Sequence, residues 1–411
     1  MEPRLLSDMQ QSMLVHEALV NRPLYNMPLG FKITGEVTPD VLEQALDHVV
    51  RRHPALHSTY HDQTAVPMDL DGPLTELTRA ECLAANDARA AVIIRFWQKP
   101  FDLRAQIPVR AMLLSESNTE HYFVLCVHHV AGDSWALSLL TRELGSVYAA
   151  FLRGAVPDYM GPPPDFFTYA SEEQAATCDA EWWSATLRDL QPQALPRNDA
   201  PSAADSGLFI PVELHLDAAA TQGTKRLARA ARVSPAAVLF SAVSSAVALG
   251  DTTLESVVGL PAALRDTHHQ QEIMGPMLNT LPVRTSWSAS QPAEAVVQTH
   301  ATAIQDALTH KHLPFSRILK AARMRRTPGT APLLHLVNID NEAPRLHLPG
   351  TKTTPLPIPA HWATFPALWE FSWQTVGNIN GVLRASADAF TAEQADKIAE
   401  AFRSSLARLL T

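Results

Sequence analysis

The amino-acid sequence predicts an α+β protein made of two lobes. With 411 residues, the chain is longer than one hydrophobic core usually supports, so two domains are expected. In both halves, short apolar and β-branched runs typical of strands are mixed with longer segments whose apolar residues recur at helical spacing. A run rich in Pro, Ala, Asp and Ser at 192–207 is the predicted linker between the lobes.

The clearest transition from strand to helix lies at residues 121–134, with the sequence HYFVLCVHHVAGDS. Residues 122–127 form a continuous run of apolar, β-preferring side chains, which predicts a buried strand. A Gly-Asp-Ser turn then stops the strand, and a helical pattern follows. The adjacent His128 and His129 therefore lie where a strand ends, and Asp133 lies where a helix begins. Such a junction can hold a side chain rigidly and still expose it.

Helix and strand signals in the first half define a lobe predicted to span residues 1–170. Pro39 suits the first turn of a helix, because its missing N–H has no partner there. The same helix ends in Arg51, Arg52 and His53, whose positive charge suits the negative end of the helix dipole. The predicted elements are, in order, helix 9–22, strand 29–35, a helix from 39, a short strand and turn within 55–72, helix 79–97, an antiparallel hairpin of strands 109–114 and 121–127, and a helix from about 135.

The second half is predicted to form a connecting segment, 171–207, and a lobe at 208–411. Thr391 and Gln394 have the spacing of a capping box, which predicts the start of the last helix. The predicted elements are helix 171–188, strand 208–216, helices 218–232 and 235–249, strand 256–260, an extended segment 279–285, helices 292–310 and 315–325, strands 333–339, 368–376 and 380–387, and helix 391–410.

The charge and hydropathy of the chain exclude some classes of partner. A formal net charge of -9 argues against nucleic acid, which requires a basic face. No segment approaches the ~20 apolar residues that a membrane helix needs, so no membrane partner is predicted. A local basic cluster leaves an acidic protein partner open. That cluster comprises Lys320, Arg323, Arg325 and Arg326.

Neither a disulfide framework nor a metal site is predicted. The three cysteines are Cys82, Cys126 and Cys178. They are odd in number and far apart, which places the chain in a reducing cytoplasm. His268, His269 and Glu272 have helical spacing that suits a metal ligand set, but a solvated polar loop is the favoured interpretation.

Six segments resemble motifs of a known family, and they occur in that family's order. Residues 128–134, HHVAGDS, resemble the HHxxxDG core of nonribosomal peptide synthetase condensation domains. An isolated HHxxxD core is weak evidence, whereas six ordered segments that cover nearly the whole chain are strong. The other five are RRHPALHSTY (51–60), PFDLRAQIPVRAMLL (100–114), SVVGLPAALR (256–265), IMGPMLNTLPVRT (273–285) and HLPFSRIL (312–319).

The resemblance implies a fold and a set of substrates. Each lobe is expected to have the fold of chloramphenicol acetyltransferase, and the lobes are expected to form a V-shaped pseudo-dimer with a central tunnel. Phosphopantetheine arms of donor and acceptor carrier proteins would enter that tunnel from opposite faces, so no permanently bound cofactor is expected. A segment of the second lobe usually returns to the first lobe in this family.

The histidines of the motif suggest the chemistry. Condensation joins an acyl thioester to an amine or alcohol, and the attacking amine must lose a proton. An imidazole suits this step because its pKa of about 6.5 lies near working pH. His129 is the predicted catalytic residue, as base or as the group that orients the amine. If the strand continues through both histidines, they face opposite sides, and His128 is then structural.

Other residues of the motif region are expected to support the site. Asp133 is predicted to form an ion pair instead of acting as a base, with Arg265 as the favoured partner and Arg52 as the second. Trp183 and Arg284 match family positions near the site, although core packing explains Trp183 equally well. Gly132 and Ser134 complete the motif. Departures from the family pattern are Ser134 for Gly, His57 for Arg, Leu264 for Gly, and Pro276-Met277 before Asn279.

Three functions remain open from the sequence. The first is a free-standing condensation enzyme that forms an amide or ester in trans. An alternative form of this hypothesis is a condensation domain excised from a larger synthetase. The second is a non-catalytic, condensation-like module that recruits a partner enzyme; such modules usually lose the second histidine, which is kept here. The third is a coenzyme A-dependent acyltransferase, but residues 369–373, WEFSW, do not match the DFGWG loop of the plant type.

Overall fold

A computed structural model describes residues 2–68, 77–81, 86–159, 161–175, 179–197, 199–202, 207–324, 327–340, 344–358, 362–373 and 378–411. Its α-helices are α1 (Asp8–Val20), α2 (Pro39–Arg52), α3 (Asn86–Gln98), α4 (Ser134–Leu152), α5 (Phe166–Ala175), α6 (Ala180–Thr186), α7 (Ala218–Ala231), α8 (Pro235–Ala246), α9 (His268–Gln271), α10 (Ala293–Thr309), α11 (Phe315–Ala321) and α12 (Ala392–Leu410). Its strands are β1 (Arg4–Leu5), β2 (Asn26–Thr34), β3 (Ser58–Tyr60), β4 (Thr64–Pro67), β5 (Leu77–Glu81), β6 (Val109–Ser115), β7 (Glu120–His128), β8 (Gln193–Ala194), β9 (Phe209–His215), β10 (Thr253–Ala263), β11 (Leu278–Ser288), β12 (Thr330–Ala331), β13 (His335–Asp340), β14 (Lys352–Leu356), β15 (Ala367–Trp373) and β16 (Ile379–Ser386).

The chain divides into two compact units, and neither is a continuous stretch of sequence. Unit 1 comprises Met1–Ala176, Leu264–Met277 and Ala343–Pro359, and unit 2 comprises the remainder. These units differ from the predicted lobes in two ways. Unit 2 begins at Thr177, within the predicted connecting segment 171–207, and two segments of the predicted second lobe, Leu264–Met277 and Ala343–Pro359, belong to unit 1. Segment Ala343–Pro359 joins unit 1 because its strand β14 pairs with β2. Segment Leu264–Met277 joins it because Arg265 forms a buried ion pair with Asp133.

Unit 1 is built on a five-stranded sheet in the order β14-β2-β7-β6-β5. The predicted hairpin of β6 and β7 is confirmed, with Val109 opposite Val127 and Ser115 opposite His121. Strand β14, from the second half of the chain, pairs antiparallel with β2, in agreement with the returning segment that the family resemblance implies. Helices α2 and α4 pack against each other, and their apolar sides lie in the buried core of this unit.

The predicted helix at 79–97 is wrong at its start. Residues 77–81 form strand β5, which pairs in parallel with β6, and the helix begins only at Asn86. The sequence of β5, LTRAE, carries little strand preference of its own, so the hydrogen bonds offered by the edge of β6 decide its conformation.

Unit 2 is built on a six-stranded sheet in the order β11-β10-β13-β15-β16-β9. The pairs β10–β13 and β13–β15 are parallel, and the other neighbours are antiparallel. Helices α7, α8, α10 and α12 contact one another and contribute apolar residues to one buried core with this sheet. The predicted capping box before α12 is confirmed, because Gln394 N donates to the Thr391 hydroxyl and the Gln394 side chain accepts from Thr391 N.

The predicted helix at 171–188 is two helices. Helix α5 belongs to unit 1 and ends at Ala175, whereas α6 belongs to unit 2 and begins at Ala180. Asp179, just before α6, has a left-handed φ of 66°, which no continuous helix contains. Within the described part of the chain, none of the helices is long and apolar enough to cross a membrane.

Candidate functional site

The two adjacent histidines lie on either side of a break in the backbone. Strand β7 ends at His128, and a 3₁₀ turn, His129–Ala131, follows at once. The assumption that the strand continues through both histidines is therefore wrong. The turn forms because the Val130 N–H donates to His128 Nδ1 at 3.1 Å, which pulls the chain out of the extended conformation.

The His128 ring is buried and has a partner at each nitrogen. Its side chain is 1% exposed. Since Nδ1 accepts from Val130, the ring proton lies on Nε2, which is 2.8 Å from the Glu17 carboxylate. The edges of Tyr25 and Phe101 complete its surroundings, with ring centroids 6.2 and 6.0 Å away. A ring held in this way cannot reach a reactant, which supports the structural role expected for it.

The His129 ring, unlike that of His128, is not held by a hydrogen bond at each nitrogen. The residue is partly exposed, but its Nδ1 is buried and has no hydrogen-bond partner in the described part of the chain. Burial lowers the pKa of this imidazole below its ordinary value, and the Asp133 carboxylate acts in the opposite direction. At neutral pH the ring is therefore uncharged and able to take up a proton.

Asp133 is fully engaged by three donors. Its Oδ1 caps α4 by accepting from Ala136 N at 2.8 Å, and it also accepts from Arg265 Nη2 at 2.9 Å. Its Oδ2 accepts from Met277 N at 3.0 Å. The predicted ion pair with Arg265 is thus present, and it joins the returning segment Leu264–Met277 to α4. A carboxylate with both oxygens occupied by backbone and guanidinium donors holds the turn in shape.

Arg265 is itself almost fully buried. Its side chain is 2% exposed, and Nη2 also donates to the Gly275 carbonyl at 2.9 Å. Burial lowers the pKa of this guanidinium, and the Asp133 carboxylate opposes that effect. Its Nε and Nη1 atoms are buried without a hydrogen-bond partner among the described residues.

Arg52, the second predicted partner of Asp133, lies elsewhere in unit 1. Its Nε is 3.6 Å from Glu143, its Nη2 donates to the Gly161 carbonyl at 3.0 Å, and its guanidinium lies 3.6 Å from the centre of the Tyr159 ring. Arg52 therefore joins α2 to α4 and to the loop after α4, and the prediction that it supports Asp133 is wrong. Arg52 is the last residue of α2, and the sequence did not show which part of the lobe the end of that helix faces.

Gly132 and Ser134 flank Asp133 in different conformations. Gly132 is buried and extended, with φ of -176°, and a Cβ there would lie 3.0 Å from the Ala136 Cβ. Ser134 is the first residue of α4, has ordinary helical backbone and is exposed. The family's glycine is thus replaced where no glycine conformation is needed, so serine causes no backbone strain.

Trp183 and Arg284 both lie in unit 2, where they make structural contacts. Trp183 is fully buried in the core of that unit, and its indole N–H donates to the His310 carbonyl at 3.0 Å. Core packing is thus the interpretation that the contacts of Trp183 favour. Arg284 pairs with Glu255 and donates to the Arg188 carbonyl at 2.7 Å, which joins β11 to the chain after α6.

Two residues that the sequence did not single out contact the histidines of the motif: Glu17 contacts His128, and Tyr25 contacts both. Glu17 accepts from His128, and the Tyr25 ring lies edge-on to His128 and to His129, 6.3 Å from the latter. Tyr25 also accepts from His129 N through its carbonyl at 2.8 Å. One signal was available: Glu17 places a negative charge in the last turn of α1, against the preference of a helix C-terminus.

The other predicted groups give no second site. Within the described residues, no group of three or more His, Cys, Asp or Glu side chains could hold a metal ion. His268 and His269 are exposed, and Glu272 pairs with Arg142 at 2.8 Å. Burial raises the pKa of the Cys126 thiol to about 11, so it is not a nucleophile at neutral pH. Arg325, Arg326, Cys82 and Cys178 lie outside the described residues.

Comparison with known proteins covers the whole chain. A family described as "Condensation domain" matches residues 3–411. The chain is 29% identical over 352 residues to chondramide synthase cmdD of Chondromyces crocatus, covering 80% of this chain and 9% of that protein. It is 27% identical over 402 residues to a dimodular nonribosomal peptide synthase of Bacillus subtilis (strain 168), covering 92% of this chain and 17% of that protein. The chain thus spans less than a fifth of either relative.

Solved structures show the same fold. The X-domain from teicoplanin biosynthesis has a TM-score of 0.86 at 21% identity and covers 100% of this chain and 95% of its own. A second structure, that X-domain in complex with OxyB, has a TM-score of 0.84 at 21% identity, with 100% and 94% covered. The first condensation domain of the calcium-dependent antibiotic synthetase has a TM-score of 0.77 at 19% identity, with 100% and 96% covered.

Proposed function

Because the chain belongs to the condensation-domain family, we propose that it transfers an acyl or aminoacyl group from a carrier-protein thioester to an amine or alcohol. The product is an amide or an ester. The observation that carries this proposal is the partly exposed His129, whose Nδ1 has no described partner, beside a histidine and an aspartate that are both fully engaged.

The reaction needs little from the protein beyond proton transfer and positioning. The amine nitrogen attacks the thioester carbonyl carbon, and a carbon–nitrogen bond forms as the nitrogen loses a proton. The carbon–sulfur bond then breaks, and the phosphopantetheine thiolate leaves and takes up a proton. His129, uncharged at neutral pH, takes the proton from the amine or holds the amine in line for attack. Tethering of a reactant to a carrier supplies proximity.

Asp133 and Arg265 support this chemistry indirectly. The carboxylate has no oxygen left for a reactant, and the guanidinium is bound to it. Their ion pair holds the turn that carries His129, and the carboxylate favours the protonated form of that ring. Such a charge stabilises the imidazolium that forms when His129 accepts a proton.

The substrates are proposed to arrive on phosphopantetheine arms of carrier proteins, with no cofactor bound permanently to this chain. Family membership supports this proposal, as does the likeness of 92% of this chain to part of a dimodular nonribosomal peptide synthase. The free-standing organisation expected from the sequence stays a prediction.

The proposal is tested by mass spectrometry of carrier proteins from neighbouring genes. Carriers loaded with acyl or aminoacyl groups are incubated with the protein and a panel of amines and alcohols. The predicted result is loss of the acyl group from the donor carrier together with an amide or ester of matching mass. Equal acyl loss and no condensed product, with and without the protein, would contradict the proposal.

A second candidate is recruitment of a partner enzyme without catalysis. It is favoured by the likeness to the teicoplanin X-domain, which has been captured in complex with OxyB. This candidate predicts a stable complex with an enzyme from the same gene neighbourhood on size-exclusion chromatography, together with no product from any thioester donor. Retention of His129, with its unpaired nitrogen, ranks condensation first.

A further inference from the structure

The backbone on both sides of His129 is held by hydrogen bonds. The His129 N–H donates to the Tyr25 carbonyl at 2.8 Å. Both backbone groups of the next residue are held, because the Val130 N–H donates to His128 Nδ1 at 3.1 Å and the Val130 carbonyl accepts from Gln10 Nε2 at 2.7 Å. The position of the His129 ring therefore depends on the His128 ring, which supplies one of these acceptors.

The acceptor on His128 exists in only one tautomer of that ring. A neutral imidazole carries a proton on one nitrogen and a lone pair on the other. Nδ1 accepts from Val130, so the proton must lie on Nε2, which faces Glu17 Oε2 at 2.8 Å. An ionised carboxylate only accepts hydrogen bonds, so Glu17 favours the tautomer that the turn requires.

Glu17 occupies a place that a helix does not favour for a carboxylate. It lies in the last turn of α1, where the unpaired carbonyl groups give the helix end a partial negative charge. Its side chain is 20% exposed, and its described partners are the His128 ring and, more weakly, the Tyr25 N–H at 3.5 Å. The helix does not account for an acidic residue here, whereas the His128 ring does.

We propose that Glu17 is a positioning residue for His129. By accepting the Nε2 proton of His128, it keeps Nδ1 available to the Val130 N–H and so holds the turn that presents His129. Without this carboxylate, the proton can move to Nδ1, where it would face the Val130 N–H as a second donor. The turn would then shift, and His129 would leave the geometry that proton transfer requires. The expected effect of Glu17 on catalysis rests on the proposed condensation function. The expected tautomer of His128 does not depend on that function.

The tautomer of His128 is measured directly in the unmodified protein. Long-range proton–nitrogen NMR spectra of histidine-labelled protein distinguish the two tautomers, and a His128→Gln variant assigns the signal. The predicted result is a proton on Nε2 in the wild type and in Glu17→Gln, whose amide oxygen is also an acceptor. Glu17→Ala is predicted to shift the ring toward the Nδ1 tautomer. A proton on Nδ1 in the wild type, or an unchanged tautomer in Glu17→Ala, would overturn the proposal.

A kinetic comparison then tests the effect on His129. Glu17→Ala is expected to lower kcat roughly 10-fold to 100-fold with little change in KM, as is typical when a group that orients a functional ligand is removed. Glu17→Gln is expected to restore most of the rate. If Glu17 were merely structural, Glu17→Ala would lower the amount of folded protein, and the kcat of the folded protein would stay at the wild-type value.

The chain offers a matched control in a second buried Glu–His pair of unit 1. Glu143 Oε2 lies 2.9 Å from His53 Nε2, with side-chain exposures of 16% and 2%. Glu143→Ala should leave kcat unchanged. Equal kcat values for Glu17→Ala and Glu143→Ala would overturn the positioning role. If the wild type forms no product, the condensation function itself fails, and the NMR tautomer still decides whether Glu17 controls His128.

Discussion

Asp133 is the residue on which the candidate site depends for its shape. It accepts from a helix N-terminus, from a buried arginine and from the backbone of a returning segment, and only 7% of its side chain is exposed. These contacts bring together parts of the chain that are more than one hundred residues apart. Its contribution should therefore appear mainly in stability.

Removal of the Asp133 carboxylate is predicted to destabilise the protein strongly. Asp133→Ala leaves the Arg265 charge buried without its partner, which typically costs about 3–5 kcal/mol. A matched control is Glu272→Ala, because the Glu272–Arg142 pair is exposed and such pairs contribute about 0–1 kcal/mol. Urea unfolding measures both variants. Similar losses for the two would show that the Asp133 pair is not a buried support.

The pH dependence of the reaction should reflect the buried position of His129. The ring must be uncharged to accept a proton, and burial places its pKa below the ordinary value of 6.5. Activity should thus persist on acidification and decline only when the pH falls below that value. Asp133 favours the charged ring, so Asp133→Asn should move the decline to still lower pH. With an acceptor that does not itself titrate in this range, an acid limb of kcat/KM above pH 6.5 in the wild type would contradict this assignment.

At the scale of elements, α4 is shaped by its contact with a segment from the far end of the chain. A Cβ on Gly145 would lie 2.4 Å from the His347 carbonyl oxygen, so this helix position accepts only glycine while the segment stays in place. Residue 347 precedes β14, which adds to the edge of the unit 1 sheet. The close approach of α4 and this segment therefore stabilises the returning strand.

Gly145→Ala should destabilise unit 1, although alanine normally favours a helix over glycine by about 1 kcal/mol. The added methyl group must displace backbone, and overpacking of this kind costs about 1–3 kcal/mol. Ser146→Ala, at the next and exposed position of α4, is the control and should be near neutral. Hydrogen exchange of β14 measures the effect. Unchanged protection of β14 in Gly145→Ala would contradict the packing described here.

Strongly periodic elements could be predicted from the sequence, whereas those decided by tertiary pairing could not. Helix α2, the β6–β7 hairpin and α12 have clear patterns and cap signals, and the structure confirms them. Strand β14, KTTPL, was missed because Pro355 and its polar residues carry no strand pattern. The Asp133–Arg265 pair could be predicted because both residues lie in recognisable motifs. Glu17 lies in no such motif, and its unfavourable place in the last turn of α1 does not reveal the His128 ring as its partner.

At the scale of the whole molecule, both units contain titratable groups that the fold keeps uncharged. In unit 2, burial lowers the pKa of His300 and of His335 to about 4. In an unfolded chain these rings have a pKa near 6.5. Unfolded protein therefore binds the proton first on acidification, and stability falls as the pH drops from 6.5 toward 4.

Each of these buried histidines is predicted to reduce stability by about 2 kcal/mol between pH 7 and pH 5. Substitution of His335 by Phe should remove that share of the pH dependence, whatever its effect at pH 7. His268→Gln is the control, because His268 is exposed. Urea unfolding at the two pH values gives the difference. The same pH dependence in wild type and His335→Phe would show that this ring is not held neutral.

The central claim is that the His129 imidazole performs the proton transfer of a condensation reaction, and the rate of product formation by His129→Ala tests it most directly. Circular dichroism first establishes that the variant is folded like the wild type. With the donor carrier and acceptor that the wild type uses, the rate should fall about 10²–10⁴-fold, the usual contribution of a general base. Product formation by folded His129→Ala at the wild-type rate would contradict the claim.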